Sequence, residues 1–248
     1  MNRSMAPSKS ENSVASPAAD GNPQETLDLG EPESLPVTEE RVMDIAPDAI
    51  RQADELAARG EMSAALTMLR GLVAREPGNT RARVALAGML APRGDLEGAL
   101  NELGRALDTA PDDVVVLCAR AALLGLRGRY DQAEADLRRA VRVDDKSAEV
   151  QMQLGMLFSK RARWREAIDP LLAAVAADPT RADAQYHLGE AYNHIDDLPA
   201  ALAAYEAASA LQPTNTRALK GIGIVLDRLG RPTEAAAAYR RAREAQRR

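Results

Sequence analysis

Proline recurs at Pro77, Pro111, Pro179 and Pro213, and Asp145 stands at the one step of the series that lacks it, so most of the chain repeats every 34 residues. Proline has no N–H and a fixed φ, which suits it to the end of a helix and not to its middle. A period of this length marks stacked supersecondary units, and it limits the chain to an elongated array instead of a single rounded core. The phase gives six units: 46–79, 80–113, 114–147, 148–181, 182–215 and 216–248. Residues 148–181 show the grammar most plainly. Leu154 and Phe158 fall four apart beside Met152, Met156 and Leu157, then Ile168, Leu171, Leu172 and Val175 keep the same spacing, so each half carries a helical apolar stripe. One such hairpin cannot bury two apolar faces alone and needs neighbours on both sides.

The halves of each unit meet near Gly60, Gly94, Gly128, Ala162, Asp196 and Gly230. Glycine takes the left-handed conformation that closes a helix and starts a tight turn. Pro47 suits a first helical turn, while Thr80, Asp112, Ser147, Thr180 and Thr214 or Thr216 are the expected N-caps of the later units. A small residue recurs in each first half, at Ala53, Ala87, Ala121, Gly155, Gly189 and Gly223, and another in each second half, at Ala65, Ala99, Ala133, Ala167, Ala201 and Ala235. Small side chains let two helices approach closely. Larger ones fill the space around them: Leu56, Leu90, Leu124, Phe158, Tyr192 and Leu226 from the first halves, and Leu69, Leu103, Leu137, Leu171, Tyr205 and Tyr239 from the second. Aromatics are only 3% of the chain and β-branched runs are scarce, which argues against a sheet. The expectation is an all-α fold.

This pattern resembles the tetratricopeptide repeat (TPR) family, carried most clearly by LGMLFSKRARWREAI at 154–168 and LGEAYNHIDDLPAAL at 188–202, each followed by a proline about eleven residues on. The resemblance spans residues 46–248 and implies a right-handed superhelical solenoid of about six helix-turn-helix units. There are departures. The bulky aromatic common near the start of the family's first helix is missing, Arg120 and Gln52 stand where Leu154 and Leu188 stand in other units, and Asp145 replaces a proline. The third unit is therefore expected to pack most weakly.

Residues 1–45, rich in Ser, Pro, Glu and Asn, have no sustained apolar period and are expected to form a disordered tail. Within it Leu27, Asp28, Leu29, Leu35 and Val37 make a small apolar-acidic cluster, either an inert part of a solvated leader or a short motif that docks on a partner or on the chain's own groove. The tail holds nine Asp/Glu against three Lys/Arg, a balance of −6 that leaves +1 for residues 46–248 of the chain's −5. A near-neutral body makes no case for nucleic acid, which needs a concentrated basic face. The end units carry polar outer faces, as terminal repeats must. PDAIRQADELAARG is polar apart from Ile50 and Leu56, and Arg240, Arg241, Arg243, Arg247 and Arg248 crowd the last helix near its C-terminus. The first residues lack the apolar core of a secretory leader, and the longest apolar runs are too short to span a bilayer. The lone Cys118 forms no intrachain disulfide and is expected to be a small buried residue. A cytoplasmic protein is expected, and the excess of arginine over lysine together with frequent alanine suggests a GC-rich bacterial genome.

Catalytic motifs are absent: there is no phosphate-cradling glycine loop, HExxH, CxxC pair or nucleophile elbow. His187 and His194 are about 10 Å apart along one helix, too far for both to hold one metal ion, although Glu190 between them makes a polar ridge. Neither a cofactor nor a metal is expected, and the protein is not expected to be an enzyme. Binding is the better expectation. In the resembled family the first helices line a concave groove that takes peptides. That face maps here onto Val84, Gly88, Val115, Cys118, Ala122, Met152, Met156 and Ser159, then onto Asp183, Tyr186, Glu190, Asn193, Lys220 and Asp227. Methionines adapt to differently shaped apolar partners, so an apolar floor followed by a polar wall favours a hydrophobic peptide or amphipathic helix of a protein partner. The Lys/Asn/Arg clamp by which some family members hold C-terminal carboxylates is not recognisable, Asn193 being the only asparagine on a first helix. Two other readings stand beside this one. Met152 and Met156 merely pack against a neighbouring unit, or the protein is a scaffold or assembly-factor subunit bound through its edges and ends.

Overall fold

The computed structural model describes the backbone from Glu39 to Arg247 and side chains from Asp48 onward, and every regular element among those residues is helical. Twelve α-helices form six hairpins: α1 (Glu39–Ala58) and α2 (Met62–Arg75), α3 (Thr80–Leu90) and α4 (Leu96–Thr109), α5 (Val114–Leu126) and α6 (Tyr130–Val143), α7 (Ala148–Lys160) and α8 (Trp164–Ala177), α9 (Ala182–His194) and α10 (Leu198–Leu211), α11 (Thr216–Arg228) and α12 (Pro232–Gln246). From α3 onward the first helices begin at Thr80, Val114, Ala148, Ala182 and Thr216, one every 34 residues. Each second helix packs on its own first helix and on the next, while the first helices touch one another in succession from α1 to α11. The first helices therefore form a continuous inner layer.

Helix α1 starts at Glu39, seven residues before the expected boundary at Ala46, and runs through Pro47. Proline removes one backbone bond, and here the turns on either side keep the helix continuous across it. Residues 39–45 thus belong to the first helix and not to the tail. Residues 1–38, with the Leu27–Leu29 cluster, lie outside the described residues.

The helix starts show how the sequence signals act. Ser147 caps α7 as expected, accepting from the Val150 N–H. Elsewhere the cap sits one residue from the expected position: Asn79 instead of Thr80, Asp113 instead of Asp112, and Asn215 between Thr214 and Thr216. A cap needs an extended backbone and an oxygen that reaches the second or third helical N–H, and Thr80 and Thr216 already stand inside the first turn. No side chain caps α9. Asp178 instead accepts from the Thr180 N–H and hydroxyl, and Arg181 takes the cap position. All six mid-unit turn residues take positive φ, including the non-glycines Ala162 at 55° and Asp196 at 69°.

The six alanines of the second-helix column have no exposed surface, and Ala53, Ala87 and Ala121 are buried against them. In the later units glycine replaces alanine because the facing side chain is larger or closer. A Cβ on Gly189 would lie 2.7 Å from the Tyr205 ring, and one on Gly221 would meet the same ring from the next unit at 2.7 Å. Tyr205, itself 3% exposed, anchors a second apolar cluster over α10 to α12, whereas a first cluster, mostly of Leu and Ala, runs from α1 to Ala204 of α10.

The third unit is not bare where Arg120 replaces leucine. Its guanidinium forms two hydrogen bonds, 2.8 and 2.6 Å, to the buried Asp136 of α6. One unit earlier Arg83 pairs with Glu102, which holds the same repeat position as Asp136. Each of these two hairpins thus holds an ion pair beside its apolar core.

Candidate functional site

The inner layer opens into a cleft of about 300 Å³ between α5 and α7. Ala121, Ala122, Gly125 and Leu126 form one wall, Met152, Met156 and Leu157 the other, with Leu137 at the base and Glu149, Gln153 and Lys160 at the rim. Small residues on α5 create the space, since nothing larger than a methyl group projects from Ala121, Ala122 or Gly125. Met152 is only 6% exposed and belongs to the core, so the packing reading describes this methionine, while Met156 is half-buried and offers its outer face to the cleft. Of the other expected groove residues, Val115 is 64% exposed, Val84 is half-buried, and Cys118 is buried. The Ser159 hydroxyl is spent on the Gly155 carbonyl at 3.0 Å. Leu126, 65% exposed, and Lys160 escaped the sequence reading. They stand 34 residues apart, one position beyond the Gly125/Ser159 register where the expected face stopped. Ile224, 48% exposed, continues the Met156 and Glu190 register onto α11.

Further along, α9 and α11 supply a polar wall. The Tyr186 hydroxyl donates to Glu190 Oε1 at 2.7 Å, and His187 Nδ1 lies 2.9 Å from Oε2. Burial alone would raise the Glu190 carboxyl, but the bonds from His187 and Tyr186 and the charges of His187 and Arg217 hold it below the usual range. Arg217 lies over the Tyr186 ring, 4.7 Å from its centroid, and burial followed by the Glu190 contact pushes the Tyr186 phenol up. Asn193 is engaged by Arg228, Asp227 accepts from the Tyr239 hydroxyl at 2.9 Å, and Lys220 is exposed. His194 leaves the ridge that the sequence suggested: it stacks on Trp164 with centroids 3.8 Å apart and planes within 4°. Among the described residues no three His, Cys, Asp or Glu side chains converge on a metal position. Burial, then Glu149 and Asp136, pushes the Cys118 thiol up to about 11.

Models of the tetratricopeptide repeat match residues 56–123 and, in overlapping stretches, 119–181, 152–216 and 195–247. The chain belongs to the tetratricopeptide repeat family. Among solved structures, a crystal structure of MamA is 28% identical with a TM-score of 0.61, over 65% of this chain and 95% of that one. PilF of Pseudomonas aeruginosa, at 18% identity and a TM-score of 0.69, covers 77% of this chain and 87% of its own. YrrB, described as a TPR protein with an unusual peptide-binding site, is 17% identical with a TM-score of 0.59, over 72% and 92%. At that identity PilF and YrrB speak for the fold alone. No curated protein matches the sequence. The fold is that of a protein–protein interaction module, and no described helix is long and apolar enough to cross a membrane.

Proposed function

We propose that this TPR array is a non-catalytic binding module that takes a peptide or amphipathic helix of a partner protein along the inner face of its first helices. The observation that carries this reading is the cleft between α5 and α7, whose walls are apolar and whose entrance exposes Leu126 and the outer face of Met156. Burying one leucine-sized side chain there contributes roughly 1.5–3 kcal/mol. The remaining contacts come from Val84, Val115 and the Tyr186–Glu190 wall. A second reading, a scaffold gripped from outside, draws on Val143, Leu172 and Leu211, apolar residues of second helices that are 50%, 42% and 41% exposed.

Site-specific photo-crosslinking in the native cell separates the two. A crosslinker at Ala122 is expected to trap a partner, and Met156→Glu to abolish the adduct while circular dichroism stays unchanged. Adducts from Val143 and Leu172 with none from Ala122 would reject the groove in favour of the scaffold.

A further inference from the structure

Every unit after the first receives the second helix of the unit before it. In the third unit Leu100 of α4 shares one cleft with Arg120, Gln132, Ala135 and Asp136. The same repeat positions in the first unit are Gln52, Ala64, Thr67 and Met68, and among the described residues no helix lies over them. Together with Gly71 and Arg75 they line an open seat of about 750 Å³ on α1 and α2. The far end of the array is finished differently: Arg240, Arg243, Glu244 and Arg247 are exposed on and just after α12, whereas Arg75 is the only charged residue lining the seat. Gly71 is not explained from within the chain. Its conformation is ordinary helix, and a Cβ there would meet no described atom within 4 Å, while Gly155, Gly189 and Gly223 each face a side chain that leaves no room for one. Glycine inside a helix is unfavourable, and a close approach by another backbone is what offsets it.

Glu61 and Arg75 stand exposed at opposite ends of α2, and neither side chain bonds to any described residue. Independently of the groove, we infer that the seat takes a second copy of this chain, with α2 antiparallel on α2 of that copy. Centred on Thr67 and Met68, this pairing sets Ala64 against Gly71 and Glu61 against Arg75, each twice. The small residues let the helices close, and each charge meets its opposite. The arrangement is isologous and stops at two copies. A head-to-tail stack, in contrast, would set α12 in the seat and bring Arg240, Arg243 and Arg247 onto Arg75, a like-charge contact that opposes it. Helix α2 has 14 residues, about 21 Å, so the contact is at the small end of protein interfaces and its dissociation constant is on the order of micromolar.

The test is sedimentation velocity of the full chain across a dilution series, beside Glu61→Arg, Arg75→Glu, the double swap Glu61→Arg/Arg75→Glu, and Gly71→Gln, with circular dichroism melts for all. Wild type is expected to pass from monomer to dimer and no further. Each single swap is expected to weaken the dimer roughly tenfold, and the double swap to recover it. Gly71→Gln is expected to weaken the dimer while the fold melts no earlier, since glutamine is the better helix former. Recovery in the double swap is the result that altered folding cannot mimic. A monomer at every concentration would overturn the inference, the seat then belonging to a segment of the same chain or to another protein. So would a dimer indifferent to the four variants, or growth beyond dimers, which is the mark of head-to-tail stacking.

Discussion

Arg120→Leu restores to the third unit the residue type found at Leu86, Leu154 and Leu188, yet it is expected to destabilise the protein. The reason lies on α6. The Asp136 side chain is 8% exposed and receives both hydrogen bonds from Arg120, so the substitution strands a buried carboxylate. Breaking one side of a buried pair costs about 3–5 kcal/mol. Because the Arg120 side chain is itself 29% exposed, water has some access, which places the cost at the lower end, about 3 kcal/mol. Asp136→Ala leaves an arginine that can swing to solvent and costs about 1 kcal/mol. The double variant reproduces the Leu188–Ala204 pair of the fifth unit, already buried in this chain, and is expected within about 1 kcal/mol of wild type. The assay is a double-mutant cycle in urea, read by circular dichroism together with hydrogen exchange of the α5 and α6 amides, since repeat arrays open piecewise. An Arg120→Leu variant that loses less than about 1 kcal/mol, or a double variant as unstable as Arg120→Leu, would refute the pairing argument.

Two further outcomes follow from the core. Gly189→Ala gains about 1 kcal/mol of helix propensity but drives a methyl into the Tyr205 ring, which Gly221 blocks from the other side. Overpacking of about 1–3 kcal/mol should win, Tyr205→Leu should recover most of the loss because Ala121 and Leu137 already make that pair, and a rise in melting temperature for Gly189→Ala alone would refute the clash. For Cys118, a folded thiol raised from 9.0 to about 11 stays neutral where the unfolded thiol ionises, so its contribution is intact below pH 9 and declines from there to pH 11. Cys118→Ala should remove that part of the alkaline loss in a urea titration, and the wild-type thiol should react with a disulfide reagent far more slowly folded than in urea. Equal rates would contradict its burial.

The helical hairpins were legible because each depends on short-range chemistry: Pro179 and Gly128 punctuate, and the Ala167 and Leu171 spacing fixes which face is buried. The cleft was less so. Register placed Met152 and Met156 on the inner face, but not how deep each sits, since depth depends on the small residues of the preceding unit, Ala121 and Gly125, which leave Met156 open and enclose Met152. Arg120 read as a defect because its partner lies sixteen residues away on another helix. His194 read as part of a ridge because spacing along a helix says nothing about a ring from the neighbouring turn, Trp164, lying against it.

The Trp164–His194 stack belongs to a series along the edge where the mid-unit turns lie. Arg127 of the third unit reaches Glu97 of the second at 2.5 Å, and Arg161 and Arg163 of the fourth reach Glu134 of the third at 2.8 and 2.6 Å. Trp164 ties the fourth unit to the fifth, and Arg228 of the sixth reaches Asp196 of the fifth at 2.5 Å. Each interface from the second unit onward thus has at least one tie at this edge. The exposed pairs, Arg127–Glu97 and Arg228–Asp196, contribute about 0–1 kcal/mol apiece, too little to explain the stability of the array. Their effect is on geometry. A contact between successive turns restrains how one hairpin sits on the next, and the third and fourth units, which carry α5 and α7, are joined in this way. The non-glycine turns lie where the ties are densest: Ala162 sits between Arg161 and Arg163, and Asp196 holds Arg228. A left-handed alanine or aspartate costs roughly 1–2 kcal/mol, and at these two turns the neighbouring unit holds the backbone in place.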